Sequence, residues 1–196
     1  MNRSEVPELH YISSITNVPS ILTLGVLSHR AVAKLPHDSV ADPVVQQLRA
    51  VKKVPPWGRP LHSYVNLFFH ARNSMMYTRK GRHADLCVLR IRTDVLDLPG
   101  VVIAERNAAA AAAFLPPAKG LPLMDKELVF ARSWDHQDWR EKQRRKQIRS
   151  AEVLVPDRVA PEYIAGAYVS CGASEAALRA IAPALPIVVD ADLFFR

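Results

Sequence analysis

Apolar and polar positions alternate or cluster in short runs along this chain, and the runs are bounded by proline, glycine and small polar residues. Leu9–Ser13 reads as a first strand. Thr16 or Asn17 is placed to cap a short helix through Pro19–Leu22, with Gly25 as its stop. Residues 29–41 read as a loop. Asp42-Pro43 then supplies an N-cap followed by proline at the first helical position, and Val44, Val45, Leu48 and Val51 recur at helical spacing, so a helix is predicted to about Lys53. Arg49 falls at the border of that apolar stripe, within reach of a neighbouring cleft. Val54–Pro60 is a rigid loop. Tyr64–Phe69, Leu86–Ile91 and Val101–Ile103 are rich in β-branched and aromatic residues and read as strands.

The second half is more broken. Ala108–Ala113 predicts a helix on propensity, and Phe114–Pro122 predicts a loop on its prolines. Leu128–Phe130 reads as a short strand. Ser133 is expected to cap a helix carrying Trp134, Trp139 and the basic run Arg140–Arg149. Strands at Glu152–Val155, Ala167–Cys171 and Ile187–Val189, with a small helix around Glu175–Ile181, complete the pattern. Strands are many and short, and helices do not alternate with them strictly. That predicts an α+β fold and not a doubly wound sheet. With 196 residues and no internal repeat, residues 1–196 are expected to form one domain.

Composition narrows the picture. A hydrophobic content of 49% and a charged content of 23% belong to an ordered soluble protein. The formal charge of +7 favours anionic partners. Cys87 and Cys171 lie in apolar runs and read as buried, reduced thiols of a cytoplasmic protein. The first residues lack the apolar core of a signal peptide, and no apolar run is long enough to span a bilayer. No CxxC or HExxH is present, so no metal is expected.

Glu152 is the most informative residue. A carboxylate heads the buried run Ala151-Glu152-Val153-Leu154-Val155-Pro156, directly after a basic segment suited to a polyanion. The bland alternative is a strand-end carboxylate paired with a nearby cation. Lys142, Arg144, Arg145, Lys146 and Arg149 are candidate contacts to a nucleic-acid backbone, or simply the wet face of a helix. Trp134, Trp139 and Tyr77 offer stacking faces.

Several landmarks fall in one order: His10, Asn17 with Gly25, Arg49, the block Leu61-His62-Ser63-Tyr64-Val65-Asn66-Leu67-Phe68-Phe69, the block Ala71-Arg72-Asn73-Ser74-Met75-Met76-Tyr77, Glu105-Arg106-Asn107-Ala108, and the Glu152 run. This arrangement resembles the DarT family of DNA ADP-ribosyltransferase toxins over nearly the whole chain. The resemblance implies an ADP-ribosyltransferase fold, two small, mostly antiparallel sheets with peripheral helices and NAD in the cleft between the sheets. It implies transfer of ADP-ribose to a base in single-stranded DNA, thymine first and guanine next, countered by a DarG macrodomain antitoxin. His10 would contact the nicotinamide-side ribose. The small hydroxyl residue usual two places later is Ile12 here, with Ser13 or Ser14 substituting through a one-residue shift. Tyr11, Asn17, Ser20, Leu27, Ser28, Tyr64 and Met76 complete the implied NAD contacts. Arg49 matches the catalytic arginine and Glu152 the catalytic glutamate. A guanidinium stays protonated, so orienting the pyrophosphate and stabilising a deprotonated base are both open to Arg49. The same NAD chemistry on RNA or protein, and a non-enzymatic basic nucleic-acid-binding module, are the competing readings. A metal-dependent nuclease lacks a second acidic ligand near Glu152.

Overall fold

A computed structural model describes all of residues 1–196. Twelve strands form: β1 Leu9–Ser14, β2 Val26–Leu27, β3 Lys53–Val54, β4 Arg59–Pro60, β5 Tyr64–Phe68, β6 Leu86–Ile91, β7 Val102–Ala104, β8 Phe114–Leu115, β9 Glu152–Pro156, β10 Arg158–Val159, β11 Ile164–Val169 and β12 Ile187–Val189. Eight helices accompany them: α1 Val18–Leu24, α2 His29–Val32, α3 Pro43–Ala50, α4 Ser74–Thr78, α5 Pro117–Gly120, α6 Lys126–Val129, α7 Trp139–Ile148 and α8 Gly172–Ile181. None is long and apolar enough to cross a membrane.

Eight strands make one sheet in the order β12-β11-β6-β1-β5-β9-β7-β8, antiparallel throughout except for β11 with β12. Its two halves are joined very lightly. β1 pairs with β6 from Leu9 opposite Ile91 to Ser14 opposite Leu86, and β5 pairs with β9 from Tyr64 opposite Pro156 to Phe68 opposite Glu152. Between β1 and β5 the ladder has a single position, His10 opposite Phe68. Beyond it the strands part. The two small sheets expected from the sequence are these halves, and the opening between them is the cleft.

The period-two alternation of strands sorts side chains to the two faces. Leu9, Val65, Leu67, Leu89, Val153 and Val155 fall on one face and join a continuous core under α1 and α8. The other face carries two separate apolar clusters. One holds Ile12, Phe68, Met76 and Phe194; the other holds Leu61, Tyr64, Val102 and Leu154. Glu152 alternates with Val153, so it falls on this divided face, in one cross-strand row with Ala104, Phe68 and His10.

Several local expectations change. Leu128–Phe130 is not a strand: Asp125 accepts from the Leu128 N–H and starts α6. Ala108–Ala113 does not become a helix. Six alanines supply too little propagation to repay nucleation, and their backbone groups are claimed elsewhere: Ala109 N–H by Asn107 Oδ1, Ala110 C=O by Lys52 and Ala113 N–H by Glu105. Phe114–Leu115 extends the sheet edge as β8, and Pro117 opens α5, since proline is compatible with a first helical turn. Ser28 caps α2 inside the expected 29–41 loop. Ser133 closes a local turn with Asp135 N–H, and Asp138 caps α7 instead. Cys87 is buried, but Cys171 is half-exposed at the head of α8, where hydrogen bonding with Ser174 holds its thiol down to about 7. The α3 stripe faces the wrong way for a core: Val44, Leu48 and Val51 are exposed, and Arg49 is the buried residue.

Gly25 ends α1 at φ 81° and ψ 175°, a region nearly closed to other residues, and a Cβ there would lie 2.3 Å from the Val159 carbonyl oxygen. This position locks α1 and β2 against β10. Gly25→Ala is expected to lower stability by roughly 2–4 kcal/mol, strain plus overpacking. A urea unfolding curve with an unchanged midpoint would exclude that role.

Candidate active site

The divided face opens into a cavity of about 470 Å³, within the range of sites for cofactors and small ligands. Glu152 lines it, yet its side chain is only 1% exposed. Arg49 Nη1 donates to both carboxylate oxygens, at 3.1 and 3.0 Å, and the Ala108 backbone N–H donates to Oε1 at 3.0 Å. The three groups come from distant parts of the chain. β9 presents the carboxylate, α3 lowers the arginine into the cleft, and the 107–110 turn supplies the amide. An ion pair this dry persists only when its desolvation is offset by close, multiple hydrogen bonds.

Asp42 accepts from the Val44 and Val45 N–H groups and fixes the start of α3. Gln46, one turn before Arg49, shares a 3.0 Å hydrogen bond with His62 Nε2. His29 packs on His62 with ring centroids 4.2 Å apart. Both imidazoles are held below the ordinary histidine range, first by burial and then, for His29, by His37 and Arg49 and, for His62, by His29 and Arg49. His29, His62 and Gln46 line the cavity and were not singled out in the sequence. Their only signal was the block Leu61–Phe69, in which His62 precedes a strand.

Tyr11, Ile12, Ser13, Asn17, Ser20, Leu27, Arg49, Tyr64 and Glu152 all line this cavity. Asn17 also ties the cavity wall together, exchanging hydrogen bonds with the Asp38 backbone at 2.9 Å each way. Three expected contacts lie elsewhere. Ser28 is buried as the α2 cap, and Met76 is fully buried in the apolar cluster, with Met75 at the cavity wall in its place. His10 lines an adjacent cavity of about 280 Å³ with Glu8, His70 and Tyr168. Phe68 stands between it and Glu152 in the cross-strand row, which sets the two strands about 10 Å apart.

The basic run divides as well. Arg149 is 2% exposed, donates to the Val129 carbonyl at 2.7 Å, and is withdrawn from any backbone contact with nucleic acid. Arg144 and Arg145 bond Glu141, and Lys142 bonds Asp135, all at the surface, where such pairs exchange readily. Lys146 makes no ion pair and lines the cavity. Trp139 is exposed on α7, while Tyr77 packs edge-on with both Trp134 and Phe195. No group of three His, Cys, Asp or Glu side chains is placed to hold a metal ion.

Residues 10–195 match the family model described as ssDNA thymidine ADP-ribosyltransferase, DarT. A DNA ADP-ribosyl transferase–DNA ADP-ribosyl glycohydrolase fusion protein of Thermosipho africanus is 30% identical over 170 residues, 83% of this chain and 42% of that protein. The chain thus spans less than half of that relative. The structure of Thermosipho africanus DarTG in complex with ADP-ribose matches with a TM-score of 0.81 and 27% identity, over 96% of this chain and 51% of the other. Thermus sp. 2.9 DarT in complex with ADP-ribosylated ssDNA matches with a TM-score of 0.81 and 23% identity, over 97% of each chain.

Two outcomes follow from the site's electrostatics. Arg49→Ala strands a buried carboxylate and should cost about 3–5 kcal/mol in urea unfolding, whereas Arg49→Met combined with Glu152→Leu should recover much of that loss. A second outcome concerns acid. Burial, then Arg149, His10 and Arg72, push His70 down to about 3. Its unfolded form takes up a proton below about 6.5, so stability falls as pH drops from there toward 3. Burial pushes Glu8 up, but hydrogen bonds with His10, Tyr168 and Arg90 outweigh it and hold the carboxyl at about 2, so its contribution is lost only from about 4.5 downward. His70→Gln should therefore flatten the stability slope between pH 6.5 and 4.5 by up to about 1.4 kcal/mol per pH unit. An unaltered slope would mean that His70 is not held neutral.

Proposed function

The chain belongs to the DarT family, and from that premise we propose that it transfers ADP-ribose from NAD to a thymine of single-stranded DNA, in the cytoplasm, as the toxin partner of a DarG-like macrodomain antitoxin. One observation carries this reading: a carboxylate and a guanidinium, brought together from β9 and α3, stand at the base of a cavity of dinucleotide scale where the sheet divides. Asn17, Ser20, Leu27 and the edge of β1 line the end of the cavity assigned to NAD.

The reaction breaks the bond between the ribose C1′ and the nicotinamide nitrogen. The electron pair leaves with nicotinamide, which departs neutral and needs no acid. Positive charge grows on C1′, and a carboxylate facing it lowers the barrier more than it stabilises the ground state. Glu152 fills that role and accepts the ribose 2′-hydroxyl. Both of its oxygens are engaged by Arg49, and one also by Ala108. NAD binding therefore has to loosen the Arg49 contact, which frees the guanidinium for the acceptor. In a thymine nucleotide the ring nitrogen that carries a proton is N3. It attacks C1′ as its proton passes to water, and Arg49 stabilises the negative charge that builds on the imide. A guanidinium that remains protonated suits this electrostatic role better than proton uptake. The acceptor base has to be unstacked to enter, which single-stranded DNA permits at small cost.

Incubation with labelled NAD and separate pools of DNA, RNA and protein tests the proposal. Label should appear on thymine-containing single-stranded DNA, and Glu152→Gln should lower the rate by about 10²-fold or more. Label on protein alone would overturn the acceptor, and full activity in Glu152→Gln would overturn the mechanism.

A further inference from the structure

We infer that Gln143 and Gln147 of α7 recognise the acceptor base, through carboxamides that have no partner within the protein. The inference deepens the proposed function and rests on it.

Every residue of α7 up to Gln147 is polar or aromatic, and most are charged. The arginines Arg144 and Arg145 fold back onto Glu141 at 2.8 Å. The residues that line the cavity are instead Gln143, Lys146, Gln147 and Ser150, just past the helix. Their spacing places them on one helical face. Neither glutamine side chain makes a hydrogen bond inside the protein, although both are half-buried. Half-buried carboxamides on a cavity wall are groups that a ligand or water has to satisfy.

The remaining walls are tied to the same place. Asn107 N–H donates to the Gln147 carbonyl at 3.1 Å, and the next residue, Ala108, donates to Glu152. Ser74 on α4 shares a 2.9 Å hydrogen bond with Ser150. The glutamine face, the 107–110 turn and α4 are thus joined into one wall of the cavity beside the carboxylate. Asn17, Ser20 and Leu27, from the opposite part of the sequence, line the same cavity. In a displacement at C1′ the acceptor enters on the face opposite the departing nicotinamide, so with the dinucleotide held against Asn17, Ser20 and Leu27 the α7 wall is the one left to the base.

The chemistry of this wall suits thymine. Its O2 and O4 carbonyls flank N3, and a carboxamide NH₂ donates to either. Such donors also stabilise the imide once N3 has lost its proton. Met75, at the wall, offers the apolar contact that a C5-methyl group takes. Lys146 on the same face is available to a flanking phosphate. A cytosine would present an amino donor where thymine presents O4, and a glutamate in place of glutamine would accept from it.

The test compares kcat/KM for oligonucleotides containing one thymine or one cytosine, with the full chain and saturating NAD. Gln143→Ala and Gln147→Ala should each reduce the thymine-to-cytosine ratio by about tenfold. Gln143→Glu or Gln147→Glu should move it further toward cytosine, a reversal that loss of folding cannot mimic. Wild-type ratios in all four variants would overturn the assignment and leave the proposed function standing. A wild-type chain that consumes NAD and labels no DNA would remove the proposed function and this assignment together.

Discussion

β1 and β5 share one ladder position, His10 opposite Phe68, and then diverge, while each continues to pair on its other side. Unpaired backbone inside a sheet is costly unless something else satisfies it. Here the gap is lined by polar groups that give it a use. Asn17 bonds Ser13 of β1 and the Asp38 backbone along its wall, and α3 and α7 bring further side chains to it. The cavity lies where the sheet opens, and the 35–42 segment between α2 and α3 supplies part of its wall. The main core is unaffected, since it lies on the opposite, continuous face.

Glu152 owes its position to this arrangement. The register of β9 with β5 and β7 puts it on the divided face, level with the last shared pair. A carboxylate there would be expensive if left alone. Arg49 and the Ala108 amide satisfy it at once, and the same contacts connect α3 and the 107–110 turn to the centre of the sheet. Under the proposed function, stability and chemistry draw on the same three groups. In the proposed reaction, the arginine that pairs with the buried carboxylate is also the group that has to release it when a ribose hydroxyl arrives.

The helices that bear on the cavity are positioned by local chemistry. Asp42 caps α3, Asp138 caps α7 and Asn73 caps α4. Each cap fixes where the helix begins and hence which of its residues meet the cleft. For α7 the result sorts its polar side chains between the surface and the cavity. Arg144 and Arg145 are held in surface pairs with Glu141, while Gln143, Lys146 and Gln147 are left facing the cavity.

Much of this was legible in the chain. The β-branched runs at 64–69, 86–91 and 152–155 specify strands by their own composition, because alternation on a pleated ribbon is a local property. Asp42-Pro43 and Gly25 specify helix ends for the same reason, and the order of landmarks around Arg49 and Glu152 carried the family resemblance. The tertiary structure decided what local patterns could not. It buried Arg49 and exposed the apolar stripe beside it, because a carboxylate 103 positions away outbids solvent for the guanidinium. It kept the alanine run from becoming a helix, because distant side chains claimed its amides and carbonyls. It withdrew Arg149 into the interior, separated His10 from Glu152 by Phe68, and brought His29 and His62 into the cavity. Periodicity and capping are set by neighbours within a few residues, whereas burial of a charge depends on a partner that only the folded chain supplies.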